Sequence, residues 1–359
     1  MSFEQARAQF PVLERYAYLN AGSMGPLGRA AADAMAAEAA HDVERGRGGR
    51  PYYERMLGLR EEVRARLATL LGVPPDRIAL TMSTTDAIHV VLAGLGLGPD
   101  DEVVTTDSEH PGLVLPLHTS GAQVVVADVG VLPAAEAKQA ILDRVTERTR
   151  LIALSHVLWT TGHVIPVHEL RAETGVPVLV DGAQSAGAIA VDANGVDFYT
   201  VSCQKWLCGP DPLGGLYVAE PDELPVGLPT YFAQESFEAD GSFVPKPGAQ
   251  RFDSGWLSVP SLAGLVAAID VAPEWRFERA AEMAAACREA LAEQFEVVTE
   301  PDHATLVSFR AGGEPAEKVA AAYEAGVIIR ELPGTGLLRA SCGYWTNEDD
   351  LARLVAAVA

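Results

Sequence analysis

The sequence predicts an α/β protein: a large domain around a mostly parallel seven-stranded sheet, with a smaller α+β domain at the C-terminal end. Three observations carry this. Between about residues 60 and 220, seven short runs rich in Val, Ile and Leu alternate with helix-like stretches. Most positions in each run are apolar, the pattern of strands buried on both faces. Beyond residue 262 the rhythm changes to Ala- and Glu-rich helix patterns around one strand-like segment.

The seven runs are RIALT (77–81), EVVTT (102–106), QVVVADV (123–129), RLIALSHV (150–157), VPVLVDGA (176–183), DFYTVS (197–202) and GGLYVA (214–219). Their alternation with helices is the signature of a parallel sheet. After the first run, STTDAIHVVLAGL reads as a polar loop opening a helix, with Ile88, Val91, Leu92 and Leu95 as its apolar face. Residues 273–293 and 315–325 read as helices flanking FEVVTE…ATLVSFR. The domains expected are therefore a large one over 15–261 and a small one built from 1–14 and 262–359.

Composition narrows the function. With 48% hydrophobic and 21% charged residues, the 359-residue chain is globular in character. A net charge of -22 would repel a phosphate backbone, so nucleic acid is not an expected partner. No apolar run reaches the ~18 residues that span a bilayer. The first residues do not resemble a secretion signal, so the expected location is cytoplasmic. The four cysteines, Cys203, Cys208, Cys287 and Cys342, form no CxxC pair, and no Cys/His cluster has zinc spacing, so no metal site is expected.

Ligands of parallel sheets gather at the C-terminal ends of the strands. Here those ends carry Thr84 and Thr85, His110, His156, Asp181 with Gln184, and Lys205. Lys205 lies in the apolar stretch VSCQKWLCGP. Taken alone it reads equally as an exposed loop lysine or as a Schiff-base lysine whose pKa is lowered by desolvation. Asp181, ending VPVLVD, is either a helix N-cap or, paired with Lys205, the carboxylate that keeps the pyridine nitrogen of pyridoxal 5′-phosphate (PLP) protonated. Gln184, one helical turn on, could reach that cofactor's phenolic oxygen. Ser83, Thr84 and Thr85 open a helix whose free N–H groups suit a phosphate, although any Ser/Thr cap looks similar. His110 could stack on a cofactor ring and handle protons, or be structural. Tyr52, Tyr53, Tyr231 and Phe232 read as pocket-lining or as ordinary packing.

Together, and in this order, these motifs resemble the class V fold-type I PLP-dependent enzymes. The resemblance runs from YLNAGSMGPL (18–27) through STTDAI, SEHPGLV, SHVLWTTGHVIPVHEL, DGAQSAG and SCQKWLCGP to LLRASCGYWTNEDDL (337–351). It implies an aspartate aminotransferase-like large domain and PLP carried on Lys205. It also implies Asp181 at the pyridinium, Gln184 at the phenolic oxygen and His110 against the ring. Thr84, Thr85 and Ser202 match the phosphate set, and Arg339 matches the clamp on an amino-acid α-carboxylate. A homodimer is implied, with RFDSGWLSVPSLAGL (251–265) as the loop that reaches the neighbouring subunit. Gln204, Trp159 and Trp256 stand where many relatives have His, Asn and Thr.

Cysteine desulfurases carry a nucleophilic cysteine on a loop before the carboxylate-binding arginine. The matching stretch 317–338 has none. The segments around His110, Trp159 and Lys205 look most like the cyst(e)ine C–S lyase branch, whose β-elimination needs no such cysteine. The expected activity is a PLP-dependent C–S β-lyase. A desulfurase-like enzyme, a class V aminotransferase, an amino-acid epimerase and an inactive PLP-binding relative are the alternatives.

Overall fold

The computed structural model describes residues 1–130 and 132–359. The seven runs become the strands β1 (Ile78–Thr81), β2 (Glu102–Thr106), β3 (Gln123–Ala127), β4 (Thr149–Ser155), β5 (Val178–Asp181), β6 (Phe198–Ser202) and β7 (Gly214–Val218). They form one sheet in the order β1-β7-β6-β5-β4-β2-β3. Only β7 runs against its neighbours; every other pairing is parallel. The expected mostly parallel seven-stranded sheet is present.

Six of these strands are buried along nearly their whole length, as their apolar composition requires. β3 departs from the expectation. It pairs with β2 alone at the sheet edge, and only Ala127 of its five residues is buried. Its three consecutive valines satisfy a strand without specifying a doubly covered one.

Helices cover both faces. On one, Val63 and Leu67 of helix Gly49–Leu71 and Leu262 and Leu265 of helix Val259–Asp270 meet β1, β4, β5 and β6 side chains. On the other lies helix Thr84–Leu95, with Ile88, Val91 and Leu92 buried and Leu95 packed at the margin. Each such buried aliphatic side chain contributes about 1.5–3 kcal/mol.

A second sheet comprises β8 (Glu296–Val297), β9 (Leu306–Arg310), β10 (Arg330–Leu332) and β11 (Leu337–Ser341), antiparallel in the order β8-β9-β11-β10. Helices Arg276–Ala292, Pro315–Glu324 and Glu348–Val358 close it through Met283, Leu291, Ala322, Leu351 and Leu354. The chain start joins it as well: Ala17–Tyr18 pairs with Val327–Ile328, and Asn20 bridges to Ser341. A boundary at residue 262 falls inside helix Val259–Asp270, whose apolar side belongs to the large core. We propose that the division lies in the turn that follows, before Arg276, and that the N-terminal part of the small domain extends past residue 14 to include Ala17–Tyr18.

The parallel strands all deliver their C-terminal ends to one edge of the large sheet. The second sheet lies against that edge, with Leu306 of β9 close-packed on Gly162 and Arg339 of β11 hydrogen-bonded to Trp159 O.

Candidate active site

The predicted residues meet in one cavity of about 270 Å³. Thr84, Thr85, His110, Asp181, Gln184, Ser202, Lys205 and Arg339 all line it. Chemistry-bearing residues spread over more than 250 positions converge because strand ends, helix starts and β11 face each other.

Thr84 and Thr85 begin the helix Thr84–Leu95, and Ser83 caps it by accepting the Asp86 N–H at 3.1 Å. The first N–H groups of a helix have no partner within it and carry its positive end. Asp86 turns its own carboxylate away from the cavity, to Met82 N and Ser254 Oγ. Ser202, the last residue of β6, is buried, and its hydroxyl donates to Gln204 Oε1 at 2.9 Å.

Asp181, the last residue of β5, is 4% exposed. Its Oδ1 accepts the Ala183 N–H at 2.9 Å and the Thr200 hydroxyl at 3.4 Å, which leaves Oδ2 open to a ligand. Gln184 is held at both ends of its amide: Nε2 donates to Gly22 O at 2.8 Å and Oε1 accepts the indole N–H of Trp206 at 3.0 Å. One amide N–H remains for a ligand.

His110 precedes the helix Pro111–His118 and caps it, its Nδ1 accepting the Gly112 N–H at 3.0 Å. This fixes the tautomer: the proton of the neutral ring sits on Nε2. Burial lowers the His110 pKa, and the Lys205 charge lowers it further, so the ring is neutral near pH 7.

Lys205 sits on the turn after β6. Desolvation pulls its pKa down to about 8, Arg339 and Arg330 push the same way, and Asp181 opposes them. The lowered pKa gives Lys205 a far larger share of neutral amine near neutral pH than an exposed lysine has, and the neutral amine is the form that attacks an aldehyde. Arg339 in β11 is fully buried, and its desolvation lowers its pKa to about 9. Nη1 donates to Trp159 O at 2.8 Å, whereas Nε and Nη2 are buried with no partner among the described residues. Buried donors are rarely left so, and a planar fork of this kind matches a carboxylate.

Several cavity residues escape a reading of the sequence. Arg330 in β10 lines the site and donates to Ser23 Oγ at 3.1 Å. Gly22 and Gly25 make room: a Cβ at Gly22 would stand 2.7 Å from Arg339 Nη2, and one at Gly25 would stand 2.0 Å from Lys205 O. The two glycines of YLNAGSMGPL were the available signal.

Tyr52, Tyr53, Tyr231 and Phe232 do not line this cavity. Three of them gather instead around Trp256, with Tyr231 stacked on its ring at 10°, Phe232 edge-on at 83° and Tyr53 tilted at 60°, and Tyr52 stands edge-on to Tyr53. Alternation cannot reveal this, because the aromatics come from one helix and two loops rather than from a strand.

Against protein families, residues 29–354 match the aminotransferase class-V model. The chain belongs to the class-V aminotransferase family. A complex of the cystine C–S lyase C-DES with its product cysteine persulfide superposes with a TM-score of 0.90 at 29% identity, covering 98% of this chain and 99% of that one. A C-DES lysine-to-alanine variant carrying glycine covalently linked to its PLP cofactor gives 0.91 at 28%, covering 98% of each chain. The cysteine desulfurase CsdA of Escherichia coli gives 0.86 at 26%, covering 100% and 98%. Isopenicillin N epimerase of Streptomyces clavuligerus is 29% identical over 401 aligned positions, covering 99% of this chain and 97% of that one. The family resemblance read from the motifs therefore holds. This is an enzyme of the fold-type I PLP-dependent group, akin to desulfurases, the C–S lyase and the epimerases.

The residues present fit PLP. A helix start with Ser and Thr hydroxyls suits its phosphate, Asp181 Oδ2 its ring nitrogen, and the desolvated Lys205 its aldehyde.

Proposed function

We propose that this enzyme is a PLP-dependent C–S β-lyase acting on cysteine, cystine or a cysteine S-conjugate. The observation that carries the choice is the placement of sulfur. All four cysteines are buried in the cores and none lines the cavity. Burial raises the thiol pKa of Cys203 and Cys208, which makes them poor nucleophiles. Cys342 is wholly buried just past β11. A site that moves protons and grips a carboxylate, without a cysteine in reach, suits elimination better than sulfur transfer to the enzyme. The likeness to C-DES, a cystine C–S lyase, supports the same reading.

Bound PLP supplies an electron sink that acidifies the Cα–H of an amino acid. The chain's own groups do the rest. Arg339 takes the α-carboxylate on its two free N–H positions and so fixes the orientation of Cα. Lys205 is the base for the α-proton, because its pKa of about 8 matches the operating pH. Asp181 would hold the ring N–H of bound PLP through its open Oδ2. His110, with its proton on Nε2, is the candidate donor to the departing sulfur. Loss of the α-proton and the β-sulfur, followed by hydrolysis, gives pyruvate, ammonia and a thiol or persulfide.

Epimerisation, for which the isopenicillin N epimerase likeness speaks, needs the same groups and differs in where one proton returns. The fully equipped cavity argues against an inactive relative. The exposed aromatics Tyr231 and Trp256, at 64% and 56%, support a homodimer with segment 251–265 at its interface. No helix among the described residues is long and apolar enough to cross a membrane.

Product analysis by mass spectrometry after mixing the PLP-loaded protein with L-cystine and L-cysteine tests the proposal. Pyruvate from the native enzyme and none from Lys205→Ala supports it. Alanine would mean desulfuration, and a D-amino acid epimerisation; either replaces the lyase reading.

A further inference from the structure

Trp159 lies where β4 hands over to the loop approaching β11, and it touches three site residues. Its carbonyl oxygen accepts Arg339 Nη1 at 2.8 Å. Its ring meets His110 edge-on at 5.2 Å and 86°, and Arg330 lies 5.9 Å from its centroid. Its indole Nε1–H is buried with no hydrogen-bond partner among the described residues. Arg339 Nε and Nη2 share that condition, so N–H groups on two adjoining residues that line the cavity lack acceptors among the described residues. Proteins leave buried N–H groups unpaired only at a cost of about 1–3 kcal/mol each.

An indole N–H can donate but not accept, and a guanidinium likewise. Whatever satisfies all three must therefore be rich in acceptors and poor in donors. A carboxylate has two oxygens and about four lone-pair sites, of which the Arg339 fork uses two.

We propose that Trp159 is a specificity-determining residue whose Nε1–H gives a third hydrogen bond to the substrate α-carboxylate gripped by Arg339. The inference rests on the carboxylate reading of Arg339 under Proposed function. Its consequence is a wall that accepts carboxylates and rejects amides, because an amide NH₂ would face only donors.

Glycine and methylamine are the probes, titrated into the PLP-loaded enzyme and read by the absorbance change of the bound cofactor. Trp159→Phe keeps a ring beside His110 and removes the N–H. It should weaken glycine roughly three- to tenfold, the worth of one hydrogen bond, and leave methylamine unchanged. Equal glycine affinity in both proteins, or a matching loss for methylamine, would overturn the role. If Trp159→Phe does not fold, replacing the tryptophan with benzothienylalanine, a same-shape analogue with sulfur for N–H, tests the same bond and should give the same loss. Arg339→Lys separates the two levels. If it leaves glycine binding intact, the carboxylate reading itself fails and the Trp159 role with it. A loss with Arg339→Lys but not with Trp159→Phe overturns the Trp159 role alone.

Discussion

The carboxylate of Glu109 reaches from the loop after β2 to the end of β4, where Oε2 accepts the Ser155 N–H at 3.0 Å and its hydroxyl at 2.5 Å. Thr106 donates to Oε1 at 2.7 Å. The bridge ties the His110 loop to the strand beside Asp181.

Glu109 is buried, and that burial raises its pKa to about 7. The Ser155 and Thr106 donors oppose the rise and the Asp181 charge adds to it. Unfolded, the same group titrates near 4.5. The folded protein thus binds an extra proton between those values, so this contribution to stability is full below pH 4.5 and is lost as pH rises to 7. The loss is on the order of 3 kcal/mol. Glu109→Gln cannot ionise. Thermal midpoints of the two proteins between pH 5 and 8 should show the native protein losing stability relative to the variant as pH rises; parallel curves would refute the assignment.

The depressed pKa of Lys205 makes a kinetic prediction. Below about pH 8 the side chain is mostly ammonium, and the reactive neutral fraction falls tenfold per pH unit. Capture of PLP by the apoprotein, followed by absorbance in stopped flow, should quicken from pH 6 to 8 and level off above. A rate that is flat across this range would show that Lys205 is not the group that limits capture.

Lys205 and Asp181 were legible in the sequence because a charged residue at the end of an apolar strand is costly and needs a reason. Thr84 and Thr85 were legible as a helix start. Arg330 and Trp159 were not, since β10 has three residues and the loop after β4 has no periodicity to orient it. Their meeting with His110 and Arg339 is tertiary. The need for Gly22 and Gly25 likewise appears only when Arg339 and Lys205 are packed against them. The domain boundary is hard to read for a related reason: the apolar pattern of Val259–Asp270 announces a helix but not which of two cores it joins.

Arg339 illustrates function held at the expense of stability. A buried guanidinium with two unpaired N–H groups destabilises the apoprotein, and Arg330 nearby adds like-charge repulsion. Arg339→Met should therefore stabilise the apoprotein by on the order of 1–3 kcal/mol while lowering kcat/KM by roughly 100-fold. Thermal denaturation and steady-state kinetics on the same preparation check both halves. A variant that loses stability along with activity would mean that the bond to Trp159 O outweighs the buried charge.

Asp253 is the opposite case, a buried charge with every partner in place. Its Oδ2 accepts from Arg60 at 2.9 Å and Arg64 at 2.8 Å, and its Oδ1 accepts the Leu80 N–H at 2.8 Å. All three ionic side chains are at most 3% exposed. The cluster fastens helix Gly49–Leu71 to β1 and to the segment leading to Trp256. Asp253→Asn leaves buried Arg60 without its counter-ion and leaves Arg64 only the half-exposed Glu61 carboxylate at 3.3 Å, and should cost about 3–5 kcal/mol. The exposed pair Arg50–Glu54 is just as close, at 2.7 Å, but its side chains are 88% and 61% exposed. Water and salt screen it, so Glu54→Gln should change stability by less than about 0.5 kcal/mol. Thermal or urea denaturation of both variants decides whether burial, rather than distance, sets the worth of a pair here. Similar losses in the two would show that the acceptors Arg60 and Arg64 already hold, the carbonyls of Ser254 and Gly255 for Arg60 and Glu61 with Ile78 O for Arg64, suffice once Asp253 is gone.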